Sequence, residues 1–290
     1  MKKYLILLLM LMTVSWASAA TYDLWIAGVQ VTDANKDNIT GYGIDPKAWL
    51  GGKVSYNSSN NTLTLQNVVI KGYSDKAIVN HIQGLAIQVL GRYNELHSNN
   101  TEVVLSKGGL TIVGDGILMV GDAYDNHNTG IYIMPNTGDF TIDGGARVVV
   151  CSNSGCAVST TNETTGRLIV KGDQTMLMAT SYSNTHDIFG FKDLILNGVT
   201  INKPVGAYYN TSTRCLRNGN ANVGNGITVT IGKSIAINAA NFPDAELRRA
   251  VGEWDKDGNQ VLDRDENYQP NDSRWLGLDG WKVTDLSGLQ

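Results

Sequence analysis

The 290-residue chain is poor in the residues that stiffen or cross-link a fold, with five prolines, three cysteines and four phenylalanines. Cys151, Cys156 and Cys215 are too sparse and odd in number for a disulfide framework. Two readings of them stay open: a local pairing of Cys151 with Cys156, or small buried hydrophobes. There is no Cys-X-X-Cys and no Cys/His ligand spacing, so zinc is not indicated. Positive charge is scarce too, with 23 Lys and Arg against 27 Asp and Glu and a net charge of −4. That balance does not suggest nucleic acid or an anionic membrane as partner. The chain has no Gly-x-Ser-x-Gly elbow and no phosphate-cradling glycine loop.

Long apolar runs are missing as well. The one apolar stretch of note, Tyr4 to Val14, is too short for a stable membrane anchor. It follows Lys2 and Lys3 and precedes Ala17-Ser18-Ala19, the order of a secretory signal over residues 1–20. Removing that segment takes the formal charge from −4 to −6. The expected location is therefore secreted, periplasmic or cell-surface, with no transmembrane segment after cleavage.

Glycine is plentiful, at 32 residues. With Asn, Thr and Ser it fills the gaps between short Val/Ile/Leu runs, the composition of a turn-rich, mainly β protein. Two strands are expected around Gly28. Lys53 to Leu65 alternates apolar and polar residues on both sides of an Asn/Ser turn, a hairpin pattern. A loose strand–glycine turn–strand repeat then starts at Gly84, Gly109, Asp139, Gly166 and Asp193, with a degenerate sixth unit at Gly226. Spacings of roughly 25 to 30 residues suggest a solenoid, in which stacked coils bury a face that one coil cannot. The expected fold is a right-handed parallel β-helix over residues 21–235, with a β-sandwich-like array as the alternative. The pattern resembles the pectate-lyase-like β-helix class. The opening block with Trp25 and the Tyr56/Leu63/Leu65 hairpin resembles the carbohydrate-binding domain of secreted bacterial proteins.

Residues 236–290 differ in composition. Ala239 to Val251 reads as a helix with Asn241 as N-cap, Pro243 in the first turn, and Leu247, Ala250, Val251 and Trp254 on one face. Directly after it, Asp255 to Glu266 has the spacing of an EF-hand calcium loop. Calcium takes six to eight oxygens, and a loop wrapped around it presents alternate residues inward. Asp255, Asp257 and Asn259 supply side-chain oxygens and Val261 its carbonyl. Asp263 contributes directly or through water, and Glu266 is bidentate. The sixth position, normally glycine, is Gln260, and a left-handed backbone there costs a non-glycine residue roughly 1 kcal/mol. Leu276 to Leu289 has leucine-rich-repeat spacing. Together, Ile237 to Asp244, the helix, the acidic loop and this last stretch resemble the N-terminal cap of bacterial leucine-rich-repeat surface proteins. The resemblance implies a static, calcium-stabilised cap rather than a calcium sensor.

Enzyme signatures are thin. The Asn-Thr-Asp, Asp-Asp and Gly-His-Gly signatures of polygalacturonases are absent, and Asn136-Thr137-Gly138-Asp139 only approaches the first. The loop 122–128 gathers Asp122, Asp125, Asn126, His127 and Asn128, and a lyase would set Arg92, Arg147 or Arg167 beside such a loop. Read plainly, the loop is a surface insertion, and His81, His97 and His186 are ordinary surface or turn residues. Sugar binding calls for exposed aromatics, for which the candidates are Trp25, Trp49, Tyr42, Tyr93, Tyr124, Tyr132, Tyr208 and Tyr209. No catalytic residue is assigned. The expected function is that of a non-enzymatic bacterial surface or adhesion protein binding a glycan or protein ligand. The alternative is a polysaccharide lyase or hydrolase on the same scaffold.

Overall fold

The structure, a computed structural model, describes residues 20–73, 75–99, 101–122, 128–255, 258 and 260–263, apart from the side chain of Asp263. The signal-like residues 1–19, the loop 123–127 and residues 264–290, which include the leucine-rich-repeat-like stretch Leu276 to Leu289, lie outside these residues.

A parallel β-solenoid is built from coils of three strands each, and each strand joins one of three sheets. The first coil consists of Thr62–Gln66, Val68–Gly72 and Ile78–Asn80, and the fifth of Leu168–Lys171, Met176–Ser181 and Ile188–Phe189. Equivalent residues stack in register. Leu63, Ile87, Ile112, Ile142, Val170 and Leu196 are partners from one coil to the next in the seven-stranded sheet. Each of them but Leu196 is at most 1 % exposed, so the row runs through the core. Alternation forces this arrangement, because a one-residue slip would turn every apolar side chain to solvent.

Antiparallel strands close all three sheets at the start and two of the three at the far end, where the seven-stranded sheet ends on the parallel strand Leu194–Asn197. At the start, Thr21–Ile26 lies on Ile78–Asn80, Ile44–Pro46 on Val68–Gly72, and Lys53–Asn57 on Thr62–Gln66. The pairs expected around Gly28 and across the Asn/Ser turn are both present. At the far end, Val229–Gly232 lies antiparallel on Met176–Ser181, and Cys215–Asn218 on Ile188–Phe189. The degenerate sixth repeat at Gly226 is therefore not a further coil. Its strand runs backwards and shields a sheet edge that would otherwise template further pairing.

After Gly232 a small separate cluster forms from Phe242, Leu247, Val251 and Leu262, with Ile235, Ile237 and Trp254 against it. Among the described residues there is one α-helix, Ala245–Gly252. Its N-cap is Asp244, whose carboxylate accepts from Leu247 N at 2.9 Å. Asn241, expected in that role, instead donates from Nδ2 to Ala236 O. The helix starts at Ala245 rather than at Ala239, so Pro243 precedes it instead of standing in its first turn, and Asp244, the cap, lies outside the helical region at ψ 127°. Ser234–Ala236 and Val261–Asp263 form a two-stranded antiparallel sheet beside the helix. No helix among the described residues is long and apolar enough to cross a membrane.

Candidate functional site

A groove runs along the outer face of the eight-stranded sheet near its first coils. Two depressions, about 300 Å3 and about 260 Å3, share Lys71 and Tyr73 and so form one trough. Its floor follows from strand alternation. In Asn94–Ser98 the side chains of Asn94, Leu96 and Ser98 point inward, which leaves Glu95 and His97 outside. In Val68–Gly72 the exposed residue is Lys71. Register puts Lys71 beside His97, and Asp45, Val69 and Glu95 in one row across three strands.

The edge strand Ile44–Pro46 approaches this floor only because residue 43 is glycine. Gly43 has φ +88°, and a Cβ there would lie 2.2 Å from Lys71 O. The Lys71 N–H donates to Gly43 O at 2.7 Å and locks the strand down.

Polar groups on the floor are largely paired. Lys47 Nζ donates to Asp45 and sits 5.9 Å from the centre of the Tyr93 ring. The hydrogen bond to Asp45 holds the Lys47 amine above its usual range. His97 Nε2 lies 3.3 Å from Glu95 Oε2. That hydrogen bond, helped by the Tyr93 hydroxyl and Lys47 and opposed by partial burial, holds the Glu95 carboxyl below the usual range. Glu95 is thus an anionic acceptor at neutral pH in the middle of the trough.

Aromatic rings stand at both ends. Tyr42 and Tyr73 pack with ring centres 4.8 Å apart and planes tilted by 31°. Tyr42 is 82 % exposed, Trp49 79 % and Tyr93 43 %. Gly72 pairs with Ser98, so the backbone of Tyr73 lies about six residues, or roughly 20 Å, along the strand direction from Tyr93. Trp49 follows Lys47 by two residues, in the short turn Ala48–Leu50.

The structure divides the candidate aromatics. Tyr93 lines the groove, Tyr42 packs on the lining residue Tyr73, and Trp49 is exposed in the short turn Ala48–Leu50. Trp25 packs edge-on against His81 on another sheet, and Tyr132 is half-buried. Tyr209 is fixed by a 2.6 Å bond to Phe191 O, and burial pushes its hydroxyl up. Tyr208 is half-exposed in the terminal hairpin. Tyr124 lies outside the described residues, as do Asp125, Asn126 and His127. Asp122 lines the second depression. Tyr73, Lys47, Lys71 and Glu95 were not singled out from the sequence, and His97 read as an ordinary surface residue. The alternating Glu95-x-His97 pair was the available signal.

The other candidates fall elsewhere. Arg167 is taken up by Asp139, Nη2 to Oδ2 at 2.6 Å, and its guanidinium holds that carboxyl low. Cys151, Cys156 and Cys215 form no disulfide, and burial pushes Cys156 up to about 12. In the acidic loop, Gln260 has φ +62° and its N–H donates to Asp255 Oδ2 at 2.7 Å. Val261 opens the short strand paired with Ala236. Asp257, Asn259, Glu266 and the side chain of Asp263 lie outside the described residues. No protein-family model, no curated protein and no solved structure matches this chain.

Proposed function

We propose that this chain is a secreted, non-enzymatic glycan-binding protein of the bacterial surface or adhesion type, with the solenoid groove as its binding site. The observation that carries the reading is a trough with a carboxylate acceptor at Glu95, amine donors at Lys47 and Lys71, and exposed rings at both ends. Sugars present apolar ring faces and many hydroxyls, so stacking surfaces beside mixed donors and acceptors suit them. Exposed aromatic clusters are costly to keep on a soluble surface unless they meet a ligand.

The test is binding of the full chain to a glycan array, repeated with Tyr42→Ala and Trp49→Ala. Retention of at least one glycan class is expected, with each substitution weakening it about tenfold, or about 1.4 kcal/mol. Unchanged retention in both variants would remove the groove from the reading. The enzymatic alternative draws on the Glu95–His97 contact, which suits proton transfer. Release of products from a polysaccharide that stops in Glu95→Gln would favour it over binding alone.

The same proposal covers the C-terminal region, residues 236–290, as a calcium-stabilised cap of leucine-rich-repeat type. Asp255, Asp257, Asn259, Val261, Asp263 and Glu266 would hold the ion. The left-handed Gln260 with its N–H on Asp255 supports this, since a loop that turns around an ion needs that conformation at its sixth position.

A further inference from the structure

Charge in the groove is balanced unevenly along its length. At the Tyr93 end, Asp45 is paired with Lys47, and Glu95 accepts from His97 and Tyr93. At the Tyr73 end stands Lys71, the residue shared by both depressions. No carboxylate lies within 4 Å of its ammonium among the described residues, although Asp122 lines the same depression. Its backbone is fixed on both sides, by Gly43 on one strand and by the in-register His97 on the other. Among the described residues the Lys71 ammonium thus has no carboxylate partner, and its side chain springs from a fixed strand position two residues before Tyr73, whose ring packs against Tyr42.

We propose that the groove selects glycans bearing an anionic substituent, a carboxylate or a sulfate, and that Lys71 is the residue that reads it. This rests on the glycan reading above. A sugar ring lying on the Tyr42–Tyr73 surface would bring its substituent to Lys71, while its hydroxyls face Glu95 and His97. A neutral substituent would leave the ammonium merely hydrated. An anionic one would add a charge–charge attraction to the hydrogen bond that the ammonium donates. Lysine suits this role because it acts as a point charge and does not demand the planar, two-pronged acceptor that arginine prefers.

The experiment uses the full chain on an array of matched sets, in which each neutral glycan is printed beside its carboxylated and its sulfated counterpart. The quantity read is the charged-to-neutral binding ratio within each set. We expect a ratio of about ten in at least one set at 50 mM salt, shrinking as salt rises. Lys71→Gln should bring it to about one, and Lys71→Arg should keep it above one. Comparing the carboxylated and sulfated members of that set separates the two sources of charge. Equal binding of neutral and charged members by the unmodified chain overturns the proposal and leaves glycan binding standing. A ratio that survives Lys71→Gln overturns the role of Lys71. If no member of any set binds, the glycan reading fails and this inference with it.

Discussion

Asp187 is fully buried, and its two oxygens fare differently. Oδ1 accepts from Ser181 N at 2.6 Å, whereas Oδ2 has no partner. Burial outweighs that single hydrogen bond and pushes the carboxyl up to about 8. In the unfolded chain the group titrates near 4. Folding therefore takes up a proton between these values. The stabilising contribution of the protonated acid is complete below about pH 4 and is lost as pH rises through about 8. Asp187→Asn keeps the acceptor for Ser181 and cannot ionise. Urea midpoints measured from pH 5 to 9 should fall with pH in the native chain and stay nearly flat in the variant. The variant should be more stable at pH 8 by about 3 kcal/mol, roughly half of what a four-unit shift implies, since relaxation and water entry soften such costs. Parallel curves would place Asp187 in contact with solvent. None of this is legible in the sequence, where Asp187 is one acidic residue in a polar turn. Gln260 is the opposite case. Its departure from glycine in a recognisable loop marked the left-handed position in advance, and the backbone adopts it at φ +62°.

At the level of strands and turns, alternation was readable and pairing partners only in part. Leu85–Leu90 and Leu110–Gly114 repeat the same inward pattern, which is why their stacking was expected. Ile44–Pro46 is too short to announce itself, and its place depends on Gly43. A Cβ at residue 43 would collide with Lys71 O. Gly43→Ala should lift this edge strand off Val68–Gly72 and displace Tyr42 with it. The expected outcome is a loss of 1–3 kcal/mol in stability, the usual cost of overpacking, together with weaker glycan retention. Equilibrium unfolding and the array binding assay check the two effects. Full retention with lowered stability would show that the position of Tyr42 does not matter to the ligand. The helix start teaches a related point. Both Asn241 and Asp244 are good caps by type, and tertiary contacts chose between them. Asn241 is bound to Ala236 O, in the strand that packs beside the helix.

For the whole molecule, the coils stop where strands turn back on two of the three sheets, whereas the seven-stranded sheet ends on the parallel strand Leu194–Asn197. Among the described residues the C-terminal cluster buries Phe242, Leu247, Val251 and Leu262. A small core is the kind that a bound ion stabilises measurably, which makes the proposed calcium loop testable by melting. Calcium in excess should raise the melting temperature of the full chain's C-terminal transition, by up to about 2.7 kcal/mol of stabilisation at 100 times Kd. Asp255→Ala should abolish the shift, and Gln260→Gly should enlarge it by removing roughly 1 kcal/mol of backbone strain. Identical melting curves in millimolar calcium and in chelator would show that the loop binds no ion.

Local chemistry alone determined a good deal. Glycine turns between alternating apolar runs, at solenoid spacing, specify stacked β coils, because side-chain period and coil period are both written along the chain. The tertiary structure decided what the chain cannot encode locally. It set which strands turn back to close the ends and which charges find partners. It also gathered Tyr42, Lys71, Tyr73, Tyr93 and Glu95 into one trough. These residues come from different coils and an edge strand, and only register between strands about 4.8 Å apart brings them to one face.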